Sequence, residues 1–143
     1  MSDFDLISIG DSTIDVFLEV DGGHVMNTPG QDAQFCVESG SKIGVKKKTR
    51  IAAVGNSANN AIGSSRLGLR TAIYTHIGGD ADGREMLEVF KSEGVATDFI
   101  RVDEGKGSNF SSVINYGPER VIFVFHEHRD YQLPEFPKVP WVY

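Results

Sequence analysis

The stretch "VGNSANNAIGSSRLGLRTAIYTHIGGDADG", residues Val54–Gly83, decides the fold prediction because it places a helix signal directly before a strand signal. Small and apolar residues recur at the i, i+3, i+4 and i+7 spacing of one helix face: Ala58, Ala61, Ile62 and Ser65. Asn59 and Asn60 stand where this amphipathic helix is expected to begin, and asparagine is a good helix cap. Gly68 is the expected residue just past its end.

The residues after Gly68 predict a buried strand and then a second helix. Thr71–Ile77 is rich in β-branched and apolar residues, a composition that favours a strand. "GGDADG" ends this strand, and Asp80 or Asp82 is placed to cap the helix that follows. Its inner face is predicted to carry Met86, Leu87 and Phe90, and Gly94 to end it.

Other short runs predict further strands on both sides of this segment. They are Leu6–Ile9, Ile14–Val20, Ala33–Val37, Lys46–Val54, Val95–Val102, Ser108–Tyr116, Val121–Phe125 and the final "WVY". The pair that flanks "GPER" has the signature of a hairpin. Two strand–helix units predict an α/β fold with a parallel sheet, and the hairpin and weak early strands predict a small β appendage. Such a sheet covers its strands with helices, but no helix signal follows the final "WVY". The sequence therefore reads as if it were cut inside a domain.

Composition and charge narrow the classes of function. The 143 residues are about right for one domain, and 40% of them are hydrophobic. A net charge of −6 argues against binding nucleic acid or an anionic membrane. The single cysteine, Cys36, excludes an intrachain disulfide and suits a reducing compartment. With neither a signal peptide nor a membrane span visible, the sequence predicts a cytoplasmic protein without nucleic-acid or membrane partners.

The residues leave the role of some polar positions open. Asp15 follows the first strand, where an aspartate either caps a turn or receives hydroxyls from a ligand, since open α/β sheets bind ligands at the carboxyl ends of their strands. "KKKTR", residues 46–50, either forms a solvated strand edge or contacts phosphates. His126 and His128 share one face of a strand, but no third zinc ligand is fixed by spacing. We therefore predict no metal site.

Taken together, "ISIGDSTIDVFLEV" and the segment Val54–Gly83 resemble the first half of a ribokinase-like (PfkB) carbohydrate kinase. That family opens with a strand, a glycine and an aspartate. It continues with a Gly-Gly-x-x-x-Asn segment, an alanine-rich helix ending in Arg-Leu-Gly, a strand, and Gly-x-Asp-x-x-Gly. The matching positions here are Asp15, Gly55, Asn59, Gly78, Asp80 and Gly83. The resemblance extends over essentially the whole chain, and it implies a ribokinase-like, Rossmann-type sheet with a small β-sheet lid.

The resemblance also implies a set of site residues. In that family the aspartate and asparagine bind hydroxyls of a sugar or nucleoside, so Asn59 is expected to face the ligand and Asn60 to belong to the packing of the helix. The implied substrate-binding positions are Thr13, Asp15, Gly55, Asn56, Asn59 and Ser111. Residues 16–53 and 108–125 would form the lid, which in the family is often also a dimer interface. A second copy of the chain is therefore an implied partner.

Two departures from the family pattern stand out. Val54 replaces the first glycine of the Gly-Gly pair, and its Cβ is expected to restrict the backbone and crowd the substrate. The family's Asp-Thr-x-Gly-Ala-Gly-Asp segment, which supplies the anion hole, the catalytic base and much of the ATP site, does not occur in these 143 residues. We therefore assign no catalytic residue.

The resemblance implies phosphorylation of a sugar or nucleoside hydroxyl by ATP with Mg²⁺, with this chain supplying the substrate-binding half and the lid. The main elements that bind ATP and Mg²⁺ are expected to lie outside it, and the chain alone is expected to be inactive. The alternative is a stand-alone protein that binds a sugar or nucleoside, or dimerises through its lid, without catalysis.

Overall fold

The computed structural model of the chain describes residues 3–143, which form two helices and eleven strands. The helices are α1 (Asn56–Arg66) and α2 (Ala81–Ser92). The strands are β1 (Leu6–Ile9), β2 (Thr13–Asp21), β3 (His24–Met26), β4 (Gln34–Cys36), β5 (Gly44–Val54), β6 (Thr71–Tyr74), β7 (His76–Gly78), β8 (Arg101–Asp103), β9 (Asn109–Tyr116), β10 (Glu119–Phe125) and β11 (Trp141–Val142).

A three-stranded parallel sheet with the order β11-β1-β6 forms the body of the molecule. Leu6 on β1 lies between Trp141 on β11 and Thr71 on β6. The strands predicted at Leu6–Ile9 and at the final "WVY" are thereby confirmed. The central strand β1 is buried on both faces, as its continuous apolar run predicts for a parallel sheet.

A four-stranded sheet with the order β10-β9-β2-β5 extends from this body. Strand β2 is parallel to β9 and antiparallel to β5, and β9 and β10 form the hairpin that "GPER" predicted. Gly117 takes the positive φ of 57° that the hairpin turn needs. A separate two-stranded hairpin, β3-β4, follows β2 in the chain, and its second strand lies within the run predicted at Ala33–Val37.

Both helices lie where the sequence predicts them, but α1 begins earlier than expected. Its N-cap is Gly55, without a side-chain cap hydrogen bond, so the prediction that the asparagine pair marks the start of the helix was wrong. In α2, Asp80 is the cap, and its carboxylate accepts a hydrogen bond from the Gly83 amide at 2.7 Å. Among residues 3–143, neither helix combines the length and the apolarity that a membrane crossing needs.

One hydrophobic core joins the helices to both sheets. It contains Ile14, Ala53, Ala58, Ala61, Ile73, Ile77, Met86, Phe90 and Val95. The predicted inner face of α2 is confirmed for Met86 and Phe90, which are fully buried, and Leu87 packs partly buried against them. Burial of each large apolar side chain contributes about 1.5–3 kcal/mol, so this core fixes the base of the four-stranded sheet on the helices.

Two predicted strands differ from the structure. The apolar run Thr71–Ile77 divides at Thr75 into β6, which pairs with β1, and β7, which pairs with β8. The run Val95–Val102 is not one strand, since it makes a single bridge from Ala96 to Ala72 and otherwise contributes only the start of β8. Burial on both sides produces the same apolar pattern whichever neighbouring strand supplies the hydrogen bonds.

Candidate functional site

A cavity of about 530 Å³ lies where the end of β1, the start of α1 and one face of the four-stranded sheet meet. We call it the first cavity. Its lining residues are Ile9, Gly10, Asp11, Thr13, Asp15, Gly55, Asn56, Ser57, Ser111, Ile122, Val124, His126 and Tyr143. The structure thus brings together five of the six predicted site residues, all except Asn59. A space of this size is within the range of small-molecule sites.

Asp15 is an acidic residue in the wall of the first cavity. It lies on β2 directly opposite Ser111 on β9, and both side chains line the cavity. The Oδ1 atom of Asp15 is buried and has no hydrogen-bond partner within the part of the chain that the structure describes. Burying a carboxylate oxygen without a partner is costly. A ligand hydroxyl that donates to this oxygen would remove that cost.

The start of α1 forms the opposite wall. Gly55 has a φ of 102°, which side chains with a Cβ rarely adopt, and a Cβ there would stand 3.0 Å from the Asp11 carbonyl oxygen. Ser57 donates its hydroxyl to the same carbonyl at 2.7 Å. The loop after β1 and the first turn of α1 are therefore held in close contact, and unpaired amides at the start of a helix favour electron-rich ligand groups.

Val54 occupies the position where the family pattern has a glycine, and it fits without a positive φ. It ends β5, pairs with Thr13 and lines a different cavity, so its side chain does not crowd the first one. The positive φ falls instead on Ala53, at 56°, within an irregularity where β5 has one residue more than β2. Because left-handed backbone disfavours a residue with a Cβ, Ala53 is a strained position.

Three side chains that sequence reasoning did not assign to this site form what we call its rim. Asp11 and His126 line the cavity, and Tyr131 contacts Asp11. The carboxylate of Asp11 accepts a hydrogen bond from the Tyr131 hydroxyl at 2.8 Å and lies 3.5 Å from Nδ1 of His126. Burial, and then the hydrogen bond to Asp11, raise the pKa of Tyr131 to about 12. Asp11 and Tyr131 are 120 residues apart, so neither of them was named from the sequence, and the only signal for Asp11 in the sequence is its position just after β1.

Asn59 lies outside the first cavity. It is exposed on the face of α1 that lines a second cavity of about 460 Å³, together with Arg50, Arg66 and Glu93. Asp15 and Asn59 therefore line different cavities, because Asn59 lies about one helical turn beyond Asn56, farther from the start of α1 where the first cavity lies. Its role in binding stays a prediction that the geometry does not support. Its neighbour Asn60 has a buried Oδ1 that lacks a partner among the described residues.

A buried polar network supports the segment that carries the rim. Nδ1 of His76 is 3.1 Å from the Asp103 carboxylate, and Nε2 is 2.9 Å from the Tyr74 hydroxyl. Arg129, whose side chain is completely buried, donates to Asp103 at 2.5 Å and to the Gly107 carbonyl. Burial alone would raise the pKa of Asp103, but hydrogen bonds from Arg129 and His76 hold it below its usual value. These contacts fix the chain just beyond His126.

No metal centre is evident in the described part of the chain. Within residues 3–143, no three histidine, cysteine, aspartate or glutamate side chains are grouped so that they could hold an ion. His126 pairs with Asp11, and the carbonyl oxygen of His128 accepts a hydrogen bond from Lys106 at 2.5 Å.

Comparison with known proteins identifies relatives with the same fold. An uncharacterized sugar kinase of Archaeoglobus fulgidus is 38% identical over 63 residues, which are 44% of this chain and 25% of that protein. A nucleoside kinase of Methanothermobacter thermautotrophicus is 30% identical over 93 residues, or 65% of this chain and 26% of that protein. The ribokinase of Arabidopsis thaliana, solved with ribose and ATP, superposes with a TM-score of 0.68 at 20% identity, covering 85% of this chain and 36% of that one.

The likeness to the solved ribokinase shows the ribokinase-like fold. The chain spans about a quarter of the length of the two curated relatives and about a third of the solved structure. A match to the pfkB family of carbohydrate kinases extends over residues 6–141, nearly the whole chain. The chain belongs to the PfkB family of carbohydrate kinases.

Proposed function

We propose that this chain forms the acceptor-binding part of a kinase that transfers phosphate from ATP to a hydroxyl of a sugar or nucleoside. The observation that carries the proposal is the buried, unpaired Oδ1 of Asp15 in the first cavity. A hydrogen bond from a ligand hydroxyl to an ionised carboxylate contributes about 1.5–3 kcal/mol to the binding free energy. The relatives that are named as sugar and nucleoside kinases support the same acceptor chemistry.

In this proposal Asp15 orients the acceptor. Thr13 and Ser111 flank it on the sheet and line the same cavity, and both side chains carry a hydroxyl group. Gly55 and Asn56 line the cavity from the helix side, where the missing Cβ of Gly55 allows the close approach of the Asp11 carbonyl oxygen that holds this wall in place. Because a site of this kind leaves its own buried groups unpaired when a hydroxyl is missing, it discriminates strongly against deoxy analogues.

The four-stranded sheet is proposed to act as the lid, through residues 16–53 and 108–125. It is continuous with the body through the short connection at residues 10–12, and its face toward the first cavity carries Ser111, Ile122 and Val124. Closure of such a sheet over the acceptor would exclude water, which strengthens the hydrogen bonds and limits hydrolysis of the phosphoryl donor.

The described residues do not fit the binding of ATP and Mg²⁺ by themselves. They contain no cluster of carboxylates that could hold a divalent ion, and the family's Gly-Ala-Gly-Asp segment is absent from the sequence. We therefore assign no phosphoryl-transfer step to these residues. We expect the 143-residue chain alone to lack kinase turnover, and ATP-dependent phosphorylation of a sugar or nucleoside by this chain would contradict that expectation.

A second candidate function is non-catalytic binding or self-association through the lid. Its support is an apolar cavity of about 350 Å³ on the opposite face of the four-stranded sheet. Phe123, on the edge strand β10, lines this cavity and is 63% exposed. Exposed apolar surface of this kind marks interaction sites. Light scattering of the purified chain across a concentration series would show a dimer if the lid self-associates.

Calorimetric titration tests the principal proposal. The purified chain is titrated with D-ribose, D-fructose, adenosine and uridine, and each titration is repeated with the Asp15→Asn variant. We expect at least one compound to bind the native chain and to bind Asp15→Asn at least ten-fold more weakly. If a compound binds both proteins equally well, Asp15 is not the residue that receives its hydroxyl.

A further inference from the structure

The lid face above the first cavity changes from polar to apolar with distance from the body. Residues directly opposite each other in a sheet point to the same face, so the pairing defines successive rows across β2, β9 and β10. The inner row consists of Asp15, Ser111 and Val124, and the outer row consists of Phe17, Val113 and Ile122. Polar groups thus lie close to the body, and apolar side chains occupy the outer row and the β10 end of the inner row.

Strand β10 supplies the apolar wall. Ile122 and Val124 alternate with residues of the opposite face and both line the first cavity, with exposures of 46% and 62%. Neither side chain can accept or donate a hydrogen bond. His126, the next residue in the same alternation, lines the cavity and adds an aromatic ring beside Asp11.

This distribution fits a ligand with two chemically different halves. A free monosaccharide carries hydroxyl groups around its ring, and those turned toward Ile122 and Val124 would lose water without gaining a partner. A ring system attached to a sugar would instead place its hydroxyls on Asp15 and Ser111 and its flat apolar surface on β10. The volume of about 530 Å³ leaves room for both halves.

We propose that the acceptor is a nucleoside, with its ribose at the inner row and its base against Ile122, Val124 and His126. The inference rests on the proposed function, because it specifies the substrate class of the same cavity. The base contributes through apolar contact and ring packing, so it adds affinity to the hydrogen bonds that the sugar makes with Asp15.

Paired valine substitutions on the two faces of β10 test this assignment. Val124→Ser removes apolar surface from the first cavity, whereas Val121→Ser makes the same change on the opposite face, in the apolar cavity there. Adenosine, uridine and D-ribose are titrated into each protein by calorimetry. We expect the nucleosides to bind the native chain at least ten-fold more tightly than D-ribose. Val124→Ser should weaken nucleoside binding three- to ten-fold without changing D-ribose binding, and Val121→Ser should change neither.

The other results separate the two proposals. If D-ribose binds as tightly as the nucleosides, or if Val124→Ser weakens the binding of D-ribose and of the nucleosides equally, the nucleoside assignment is overturned. The proposed acceptor-binding function then stands. If none of these compounds binds at millimolar concentration, both proposals fail. A thermal melt of each variant establishes that it is folded before it is titrated.

Discussion

Asp15 and Ser111 lie directly opposite each other on the parallel strands β2 and β9, and the Oδ1 atom of Asp15 is buried without a partner among the described residues. Strand pairing sets this relationship, since it aligns residues that are 96 positions apart in the sequence. A buried carboxylate oxygen without a partner is costly for folding, and we propose that a ligand completes its hydrogen bonding.

The first prediction concerns Asp15→Asn. The substitution keeps the shape of the side chain but removes the charge and replaces one acceptor oxygen with a donor group. We expect acceptor affinity to fall by about ten-fold or more, in line with about 1.5–3 kcal/mol for a charged hydrogen bond, while the melting temperature stays the same or rises. Asp21→Asn, at the exposed far end of the same strand, is the matched control and should leave affinity unchanged.

The second prediction compares two asparagines of α1. Asn56 lines the first cavity and Asn59 lines the second, so Asn56→Ala should weaken acceptor binding by up to about ten-fold, the equivalent of one neutral hydrogen bond. Asn59→Ala should leave binding unchanged. The reverse order of effects would show that the acceptor contacts the side of α1 facing the second cavity, as the resemblance to the family implies.

The third prediction uses two glycines at the start and in the middle of α1. Gly55 has a φ of 102° and little space for a Cβ, so Gly55→Ala should lower the free energy of unfolding by about 1–3 kcal/mol. Gly63 has no atom within 4 Å of an added Cβ, and Gly63→Ala should raise it by about 0.5–1 kcal/mol because alanine favours a helix. Denaturation by urea measures both. Equal changes in the two variants would contradict the strained backbone at Gly55.

The sequence predicted the positions of the helices and strands better than it predicted which strands pair with each other. Apolar runs located β1, β9 and β10, and helical spacing located α1 and α2. The division of Thr71–Ile77 into two strands was not predictable, because residues buried on both faces look alike whichever strand is adjacent. The early start of α1 also escaped prediction, since Gly55 begins the helix through its backbone conformation and not through a side-chain cap.

The candidate site was predictable only in part, for a related reason. Motif spacing selected Asp15 and Gly55, which line one cavity, but it also selected Asn59, which lies about one turn farther along α1 and lines the other cavity. The rim formed by Asp11, His126 and Tyr131 depends on contacts across more than one hundred residues. Such contacts follow from the folded path of the irregular segment after β10, which no periodic pattern describes.

The fourth prediction concerns the buried guanidinium of Arg129. Its side chain is fully buried and pairs with Asp103, which is itself 25% exposed. Removing one member of a buried ion pair leaves the other charge without a partner. Arg129→Met should therefore lower the free energy of unfolding by about 2–4 kcal/mol. The loss is expected toward the lower part of the range for buried pairs, because Asp103 retains some hydration. Arg101→Met, at an exposed position on β8, is the matched control and should change stability by less than about 0.5 kcal/mol.

The fifth prediction is a loss of stability in acid. Burial would raise the pKa of Asp80, but hydrogen bonds from the Ser108 hydroxyl and the Gly83 amide bring it below its usual value. The pKa of Asp103 is lowered by Arg129 and His76 against the effect of burial, and the hydrogen bonds from Arg70 lower the pKa of Asp5 to about 2. A carboxyl whose pKa is lower in the folded state stabilises the fold above its unfolded pKa of about 4 and loses that contribution as the pH falls through the folded value.

Urea denaturation at a series of pH values should therefore give a nearly constant free energy of unfolding from about pH 7 to pH 5 and a decline from about pH 4 to pH 2. Asp80→Asn, which loses the carboxylate that accepts from Ser108 and Gly83, should be less stable at pH 7 and should show a shallower decline in acid. Asp98→Asn, at an exposed position, is the control, and its acid decline should match that of the native chain. A native profile that stays flat to pH 2 would show that these carboxyls are not stabilised by their partners in solution.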